Sequence, residues 1–259
     1  MILVMAGTSD ARELAARISK AGFDLLTTVV TDTAAKSLSE VGLPVQVGRL
    51  PEAALVRLIQ ERGVRAVVDA THPFAEEASR NAMAAAQAAG VPYIRYEREH
   101  GSYSSHPKLT FVDDYEQAAE LAASKRGVIF LATGSKTLQV FAEKLIGLPD
   151  TTLVARMLPR KDNMEKCEQL GIEQKYIVAM QGPFSKEINR AFYLHYGVTV
   201  LITKESGQVG AVEEKLSAAL EMGIDTIVIG RPQLDYGLVF TDYAGVIAEL
   251  KNKVQEVHG

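Results

Sequence analysis

Asp69, Thr71 and His72 leave an apolar run together in the stretch VVDATHPFA, and Pro73 follows at once. Three polar side chains at one corner suit a ligand: Thr71 and His72 can meet a dinucleotide or a substrate, Pro73 is expected beside them in the cofactor site, and the imidazole titrates near neutrality, so it can donate a proton. A buried strand needs Ala66, Val67 and Val68 but has no use for a His-Pro step at its exit. Pro73 biases His72 away from the helical region and suits the first position of a following helix. The plainer reading of His72 is a side chain that caps its own corner through a backbone hydrogen bond.

Two further corners in the first half have the chemistry of a dinucleotide site. In AGTSDARE, Gly7 permits close approach, while Thr8 and Ser9 place hydroxyls beside the first amides of a helix, a ready anion site. Only one glycine of the G-x-G-x-x-G pattern is present, and Ser9 also fits a simple helix N-cap. Asp32 ends the next apolar run, where an acid can bind a ribose and repel a 2′-phosphate, which favours NADH over NADPH. Lys36, one turn on, has the charge to reverse that preference.

The second half carries cations and small polar groups at nearly every strand exit. They are Thr133, Gly134, Ser135 and Lys136 in ATGSK, Arg156 and Arg160 in ARMLPR, Gln181 and Gly182 in QGPF, Lys204, Ser206 and Gly207 in TKESG, and Arg231 in GRP. One such cation is ordinary solvated surface. Several on successive exits converge on one sheet edge and suit a large ligand with many carboxylates.

The elements that must position these corners repeat one unit: a short β-branched run, a polar corner, then an amphipathic helix closed by glycine. In ILVMAGTSDARELAARISKAG, Ile2 to Met5 make a strand, Ala11, Leu14, Ala15 and Ile18 fall at helical spacing, and Gly22 follows. Strands alternating with helices imply parallel sheets, and right-handed crossovers put the corners on their carboxyl edges. The expected fold is α/β, two Rossmann-like doubly wound parallel-sheet domains facing across a cleft. The turn-rich GSYSSHPK interrupts the rhythm, so residues 1–100 are expected to bind a dinucleotide and 101–259 a substrate.

Composition narrows the classes. The 259 residues are 47% hydrophobic with a net charge of −4, which opposes general nucleic-acid or anionic-membrane binding. No apolar run nears the roughly 20 residues of a membrane helix, and the apolar N-terminus lacks a basic leader, so a cytoplasmic location is expected. The single cysteine, Cys167, excludes an internal disulfide, and its spacing with Met164 and Leu170 places it on a buried helical face. No metal-ligand spacing, P-loop or G-x-S-x-G elbow occurs, so no metal is expected. The oligomeric state is left open, and a monomer is compatible with the sequence.

Taken together, AGTSDAREL, VDATHPFA, IRYER, TGSK, LPR, QGPFSKEIN, TKESGQVGAVEEKL and IGRP resemble the precorrin-6A reductase family of cobalamin biosynthesis, in order along nearly the whole chain. The resemblance implies an enzyme that takes a hydride from NADH or NADPH and delivers it to a double bond of a corrin precursor, a tetrapyrrole fringed with carboxylates. It also implies one of two branches, acting on metal-free precorrin-6A with NADPH or on cobalt-precorrin-6A. A non-catalytic dinucleotide-sensing module shares the Gly7 corner but gives no reason for the row of cations. A methyltransferase of the same pathway would need a differently built cofactor site.

Overall fold

Every strand of the computed structural model runs parallel to its neighbours; the structure describes residues 1–98, 105–205 and 212–255. The first half alternates β1 (Ile2–Met5), α1 (Ser9–Lys20), β2 (Leu25–Val29), α2 (Asp32–Ser39), β3 (Val45–Val47), α3 (Glu52–Glu61), β4 (Ala66–Asp69), α4 (Glu76–Ala89) and β5 (Tyr93–Tyr96). The second half runs β6 (Leu109–Val112), α5 (Tyr115–Lys125), β7 (Gly127–Leu131), α6 (Leu138–Leu145), β8 (Thr151–Met157), α7 (Lys161–Gln169), β9 (Ile177–Ala179), α8 (Lys186–Tyr196), β10 (Val200–Lys204), α9 (Val212–Glu221) and β11 (Asp225–Ile229). A short strand β12 (Val239–Phe240) and α10 (Tyr243–Gln255) close the chain.

The two sheets have the orders β12-β5-β4-β1-β2-β3 and β6-β11-β10-β7-β8-β9. Counted from β1, the first is the 3-2-1-4-5 order of a doubly wound sheet, and its sixth place is taken by β12 from the end of the chain. Counted from β7, the second repeats the same order, with its sixth place taken by β6, which precedes it. Strand order reverses between β1 and β4 in one sheet and between β7 and β10 in the other.

Alternation of side chains decides which helix covers which face. In β1, Ile2 and Val4 pack with Leu14 and Ile18 of α1 and with Val246 and Leu250 of α10, while Leu3 and Met5 pack with Leu55 of α3 and Ala82 of α4. Both faces are covered, so the strand reads as a continuous apolar run. In the second sheet Phe130, Val154 and Leu201 meet Tyr193 of α8 and Ala218 of α9. Cys167 is buried on α7, its Sγ 3.4 Å from Met157 Sδ, as its helical spacing implied.

Two compact units result: Met1–Glu99 with Gln233–Gly259, and His100–Pro232. The expected assignment of 101–259 to one domain is corrected by this return, since Val239 of β12 pairs with Arg95 of β5 in the first sheet. The sequence rhythm missed it because a two-residue strand carries no periodic signal. Leu250, fully buried in the first unit, tests the return. Leu250→Ala should cost about 2–5 kcal/mol in urea unfolding of that unit; a loss under about 0.5 kcal/mol would place α10 outside the core.

Candidate functional site

In the first unit the two polar corners are brought together. Met5 stands opposite Asp69 in register, so Gly7–Ser9 and Ala70–His72 leave neighbouring strands where the order reverses. Thr8, not Ser9, is the N-cap of α1: its Oγ1 accepts from the Ala11 amide at 3.4 Å. A β-carbon added at Gly7 would meet nothing within 4 Å, so the space over this corner is open. Asp10 in the first turn of α1 would repel an anion, but Arg98 Nη2 pairs with its Oδ1 at 3.0 Å in a buried contact. Asp32 is exposed at the start of α2 behind its cap, Thr31, at the end of the strand next to β1.

The Asp69 corner is organised around a buried arginine. Asp69 accepts hydrogen bonds from the Thr71 amide at 2.9 Å, the Thr71 hydroxyl at 2.7 Å and the Tyr93 hydroxyl at 2.7 Å, and pairs with Arg95 Nη1 at 3.0 Å. Arg95 also binds Glu97 through Nε at 2.7 Å, and its guanidinium lies 4.9 Å over the ring of Tyr236, from the returning segment. Burial alone would raise the Asp69 carboxyl, but Arg95 and the hydrogen bonds of Ser79, Thr71 and Tyr93 outweigh it and hold the pKa below the ordinary range.

This network changes the part played by Thr71. Its hydroxyl donates to Asp69, accepts from Arg95 Nη1 at 3.2 Å and lies 3.3 Å from Ser79 Oγ. A hydroxyl has one proton and two lone pairs, so its capacity is filled within the protein. His72 does cap its own corner, with Nδ1 accepting from the Phe74 amide at 3.2 Å. Pro73 is buried in a turn three residues before α4 and not at its first position, because Ala75 takes the cap.

In the second unit the cations separate into two kinds. Arg160 is exposed and forms a two-pronged pair with Asp162, at 2.9 and 3.1 Å. Arg231 is buried in an ion pair with Glu205. Arg156 lies within β8 and not beyond its end, so its side chain joins the sheet's apolar face: it donates to Asn189 Oδ1 at 2.8 Å and its guanidinium sits 4.3 Å from the Phe184 ring centre. Burial pushes its pKa down. Lys204 lies 5.2 Å over the Tyr115 ring, and burial with repulsion from Lys136 lowers it to about 8.

A cavity of about 350 Å3 opens beside Arg156, lined also by Gly134, Met157, Gly182, Phe184 and Lys215. Gly134 has φ 81°, which favours glycine. At Gly182 an added β-carbon would stand 3.0 Å from Phe184 Cε2, so this glycine lets the ring close on the wall. The Ser135 hydroxyl binds Asn163, and Lys166 Nζ holds the Ser135 and Lys136 carbonyls at 2.9 and 3.2 Å. Thr133 Oγ1 and Thr203 Oγ1 are buried without a hydrogen-bond partner among the described residues. Gln181 is exposed, and Ser206 and Gly207 lie outside the described residues.

Two residues escaped the sequence reading. Lys215 precedes Ala218 and Ala219 by three and four positions, which puts it on their buried face, a signal present in the helical spacing. Arg95 stands between Ile94 and Tyr96 in a strand buried on both faces, where an arginine demands an acid beside it. Among the described residues no group of three or more His, Cys, Asp or Glu could hold a metal, and no helix is long and apolar enough to cross a membrane.

An open glycine corner at one switch point and a cationic cavity at the edge of a second sheet define a two-unit Rossmann-type protein suited to anionic ligands. The model of the precorrin-6x reductase family CbiJ/CobK matches residues 1–251, and the chain belongs to that family. It is 56% identical over 255 residues to the cobalt-precorrin-6A reductase of Priestia megaterium, covering 98% of this chain and 100% of that one. It is 38% identical over 232 residues to the cobalt-precorrin-6A reductase of Salmonella typhimurium, covering 89% and 87%. The solved structure of CobK precorrin-6A reductase superposes with a TM-score of 0.78 at 27% identity, over 97% of this chain and 96% of that one.

The buried pair gives a signed expectation. Asp69 has a depressed pKa when folded, so its contribution is present above the unfolded value near about 4 and is lost as pH falls through the folded value. Asp69→Asn should therefore destabilise the first unit by about 3–5 kcal/mol at pH 7, and the deficit should shrink in acid. Denaturant unfolding between pH 3 and 7 reads it, in about one-unit steps; a deficit that does not change with pH would remove the ion pair from the account.

Proposed function

We propose that this chain reduces precorrin-6A to precorrin-6B in cobalamin biosynthesis, with a reduced nicotinamide dinucleotide as the hydride source and the cobalt-containing form as its substrate. Membership of the family supports the reaction, and the names of the Priestia and Salmonella relatives support the cobalt form. The observation that carries the substrate assignment is the cavity in the second unit, where Arg156 and Lys215 face a ligand space walled by Phe184 and Met157 and Lys204 and Lys136 add further charge. Cations with repelling neighbours beside apolar walls fit an apolar ring edge that ends in carboxylates. Thr133, Gly134, Ser135, Gln181, Gly182, Arg160 and Arg231 belong to the same proposed surface, the last two bringing the acids they pair with.

The open Gly7 corner fits a dinucleotide. Gly7 leaves room for a pyrophosphate, Thr8 and Ser9 begin the helix whose amides meet it, and Asp32 reads the ribose, which favours NADH over NADPH. Bound there, the dinucleotide supplies a hydride to one carbon of a macrocycle double bond, and a proton completes the reduction at its neighbour. Thr71 holds the corner's shape from within the Asp69 network, and Pro73 is buried in the turn that follows. His72 is the proposed donor, its ring oriented by the Phe74 amide at Nδ1; it would give up a proton as the imidazolium.

The purified protein should oxidise NADH when cobalt-precorrin-6A is added and not otherwise, with a higher kcat/KM for NADH than for NADPH. No corrinoid-dependent oxidation with either cofactor would sink the reading, and a roughly hundredfold preference for NADPH would sink the role given to Asp32. Gly7→Val should weaken dinucleotide binding tenfold or more, about 1.4 kcal/mol, while corrinoid binding holds. Unchanged cofactor affinity in the folded variant would move the site elsewhere.

A further inference from the structure

Lys215 shares the inner face of α9 with Ala218 and Ala219, and its half-buried side chain lines the cavity that Phe184 also walls. It makes no side-chain hydrogen bond or ion pair among the described residues. The groups facing it are Arg156 from β8, Lys204 from β10, Glu214 from its own helix, and Tyr193 of α8, whose hydroxyl donates to the Lys215 carbonyl at 3.4 Å. Arg156 is held in place by Asn189 and by the rings of Phe130 and Phe184. A fixed guanidinium and an unpaired amine thus share one cavity, whose volume of about 350 Å3 is at the small end for organic ligands. That suits an arm of the substrate and the ring edge bearing it.

We propose that Lys215 seats a carboxylate arm of the corrin precursor in this cavity and, where it is still an amine, captures a proton from solvent as the arm enters. The inference rests on the corrin reading of the second unit and adds to it a residue and a proton. Burial first, then Arg156, pushes the Lys215 ammonium down to about 7, with Glu214 acting the other way and Lys204 adding to the repulsion. Near neutrality the free protein is therefore a mixture of amine and ammonium. A carboxylate arriving beside Nζ favours the charged form, so the amine lone pair takes a proton and the buffer loses one. Arg156 cannot play this part because a guanidinium stays protonated at every working pH.

Isothermal titration at pH 7 in two buffers of different ionisation enthalpy counts the proton. Titrating cobalt-precorrin-6A into the wild-type protein should show uptake of a fraction of a proton per corrinoid, growing towards one as pH rises above about 7 and falling towards zero in acid. Lys215→Arg keeps a charge that does not titrate, so it should still bind the corrinoid but lose most of the uptake. Lys215→Met should lose the uptake and weaken corrinoid binding tenfold or more, with an unchanged far-UV spectrum. Wild-type uptake in Lys215→Arg would overturn the proposal. Uptake on adding NADH alone would also overturn it, because the anion would then be a phosphate. If no corrinoid binds the wild-type protein at all, the proposed activity falls with it, which separates that failure from failure of the proton count alone.

Discussion

Asp69 and Arg95 meet at the end of the first sheet's central strands with no exposure of either side chain. A charge buried alone costs several kcal/mol, so neither residue can occupy its place without the other. The surroundings complete the pair: Thr71 and Tyr93 fill the carboxylate's lone pairs, Glu97 takes the far side of the guanidinium, and Tyr236 covers its face. Tyr236 reaches that position only because the chain returns to this sheet and adds β12 beside β5. The corner that carries His72 is thus rigid for a reason that begins more than a hundred residues later in the sequence, and the strand order and the site geometry are one constraint.

The second unit repeats the arrangement in its own terms. Counted from β7, its fourth and fifth strands are β10 and β11, and just beyond their ends come Glu205 and Arg231, again a buried acid and a buried arginine. A closed acid–arginine pair therefore stands at or just past the ends of the fourth and fifth strands in both sheets. What differs lies on the other side of the switch point. In the first unit the inner position of β2 is Thr28, a small buried side chain, whereas β8 carries Arg156. The first unit offers an open glycine corner and helix amides, weak and diffuse positive charge; the second offers whole cations. The two ligand types proposed for the two units follow that difference.

Strand–helix alternation, the parallel sheets and the corners at strand exits were legible because each rests on local periodicity and on glycine, proline and β-branched residues. Gly7 and Thr8 could be read the same way. The row of cations was legible only as a row: position after a strand does not reveal that Arg160 turns to Asp162, that Arg231 is locked to Glu205, or that Arg156 points into the sheet's apolar face. Those outcomes depend on partners far off in sequence. The same holds for Tyr236 and β12, where two residues of strand give no pattern to detect. Lys215 was readable from its spacing to Ala218 and Ala219, but a lone lysine in a helix reads first as solvated surface.

A half-buried cation with repelling neighbours costs the fold stability. For Lys215 the unfolded chain holds its proton up to about pH 10 and the folded chain only to about 7, so the unfolded state binds more protons across that window and stability rises with pH through it. Below it the full cost of the charged form is present. Lys204 adds a smaller cost of the same sign, with Lys136 as the neighbour that repels it. The packing of α9 does not require lysine at 215, since Ala218 and Ala219 already close that helix against the sheet. A carboxylate ligand reverses the sign: with a negative charge in the cavity the same neighbours become shared partners, and the energy lost on folding is recovered on binding.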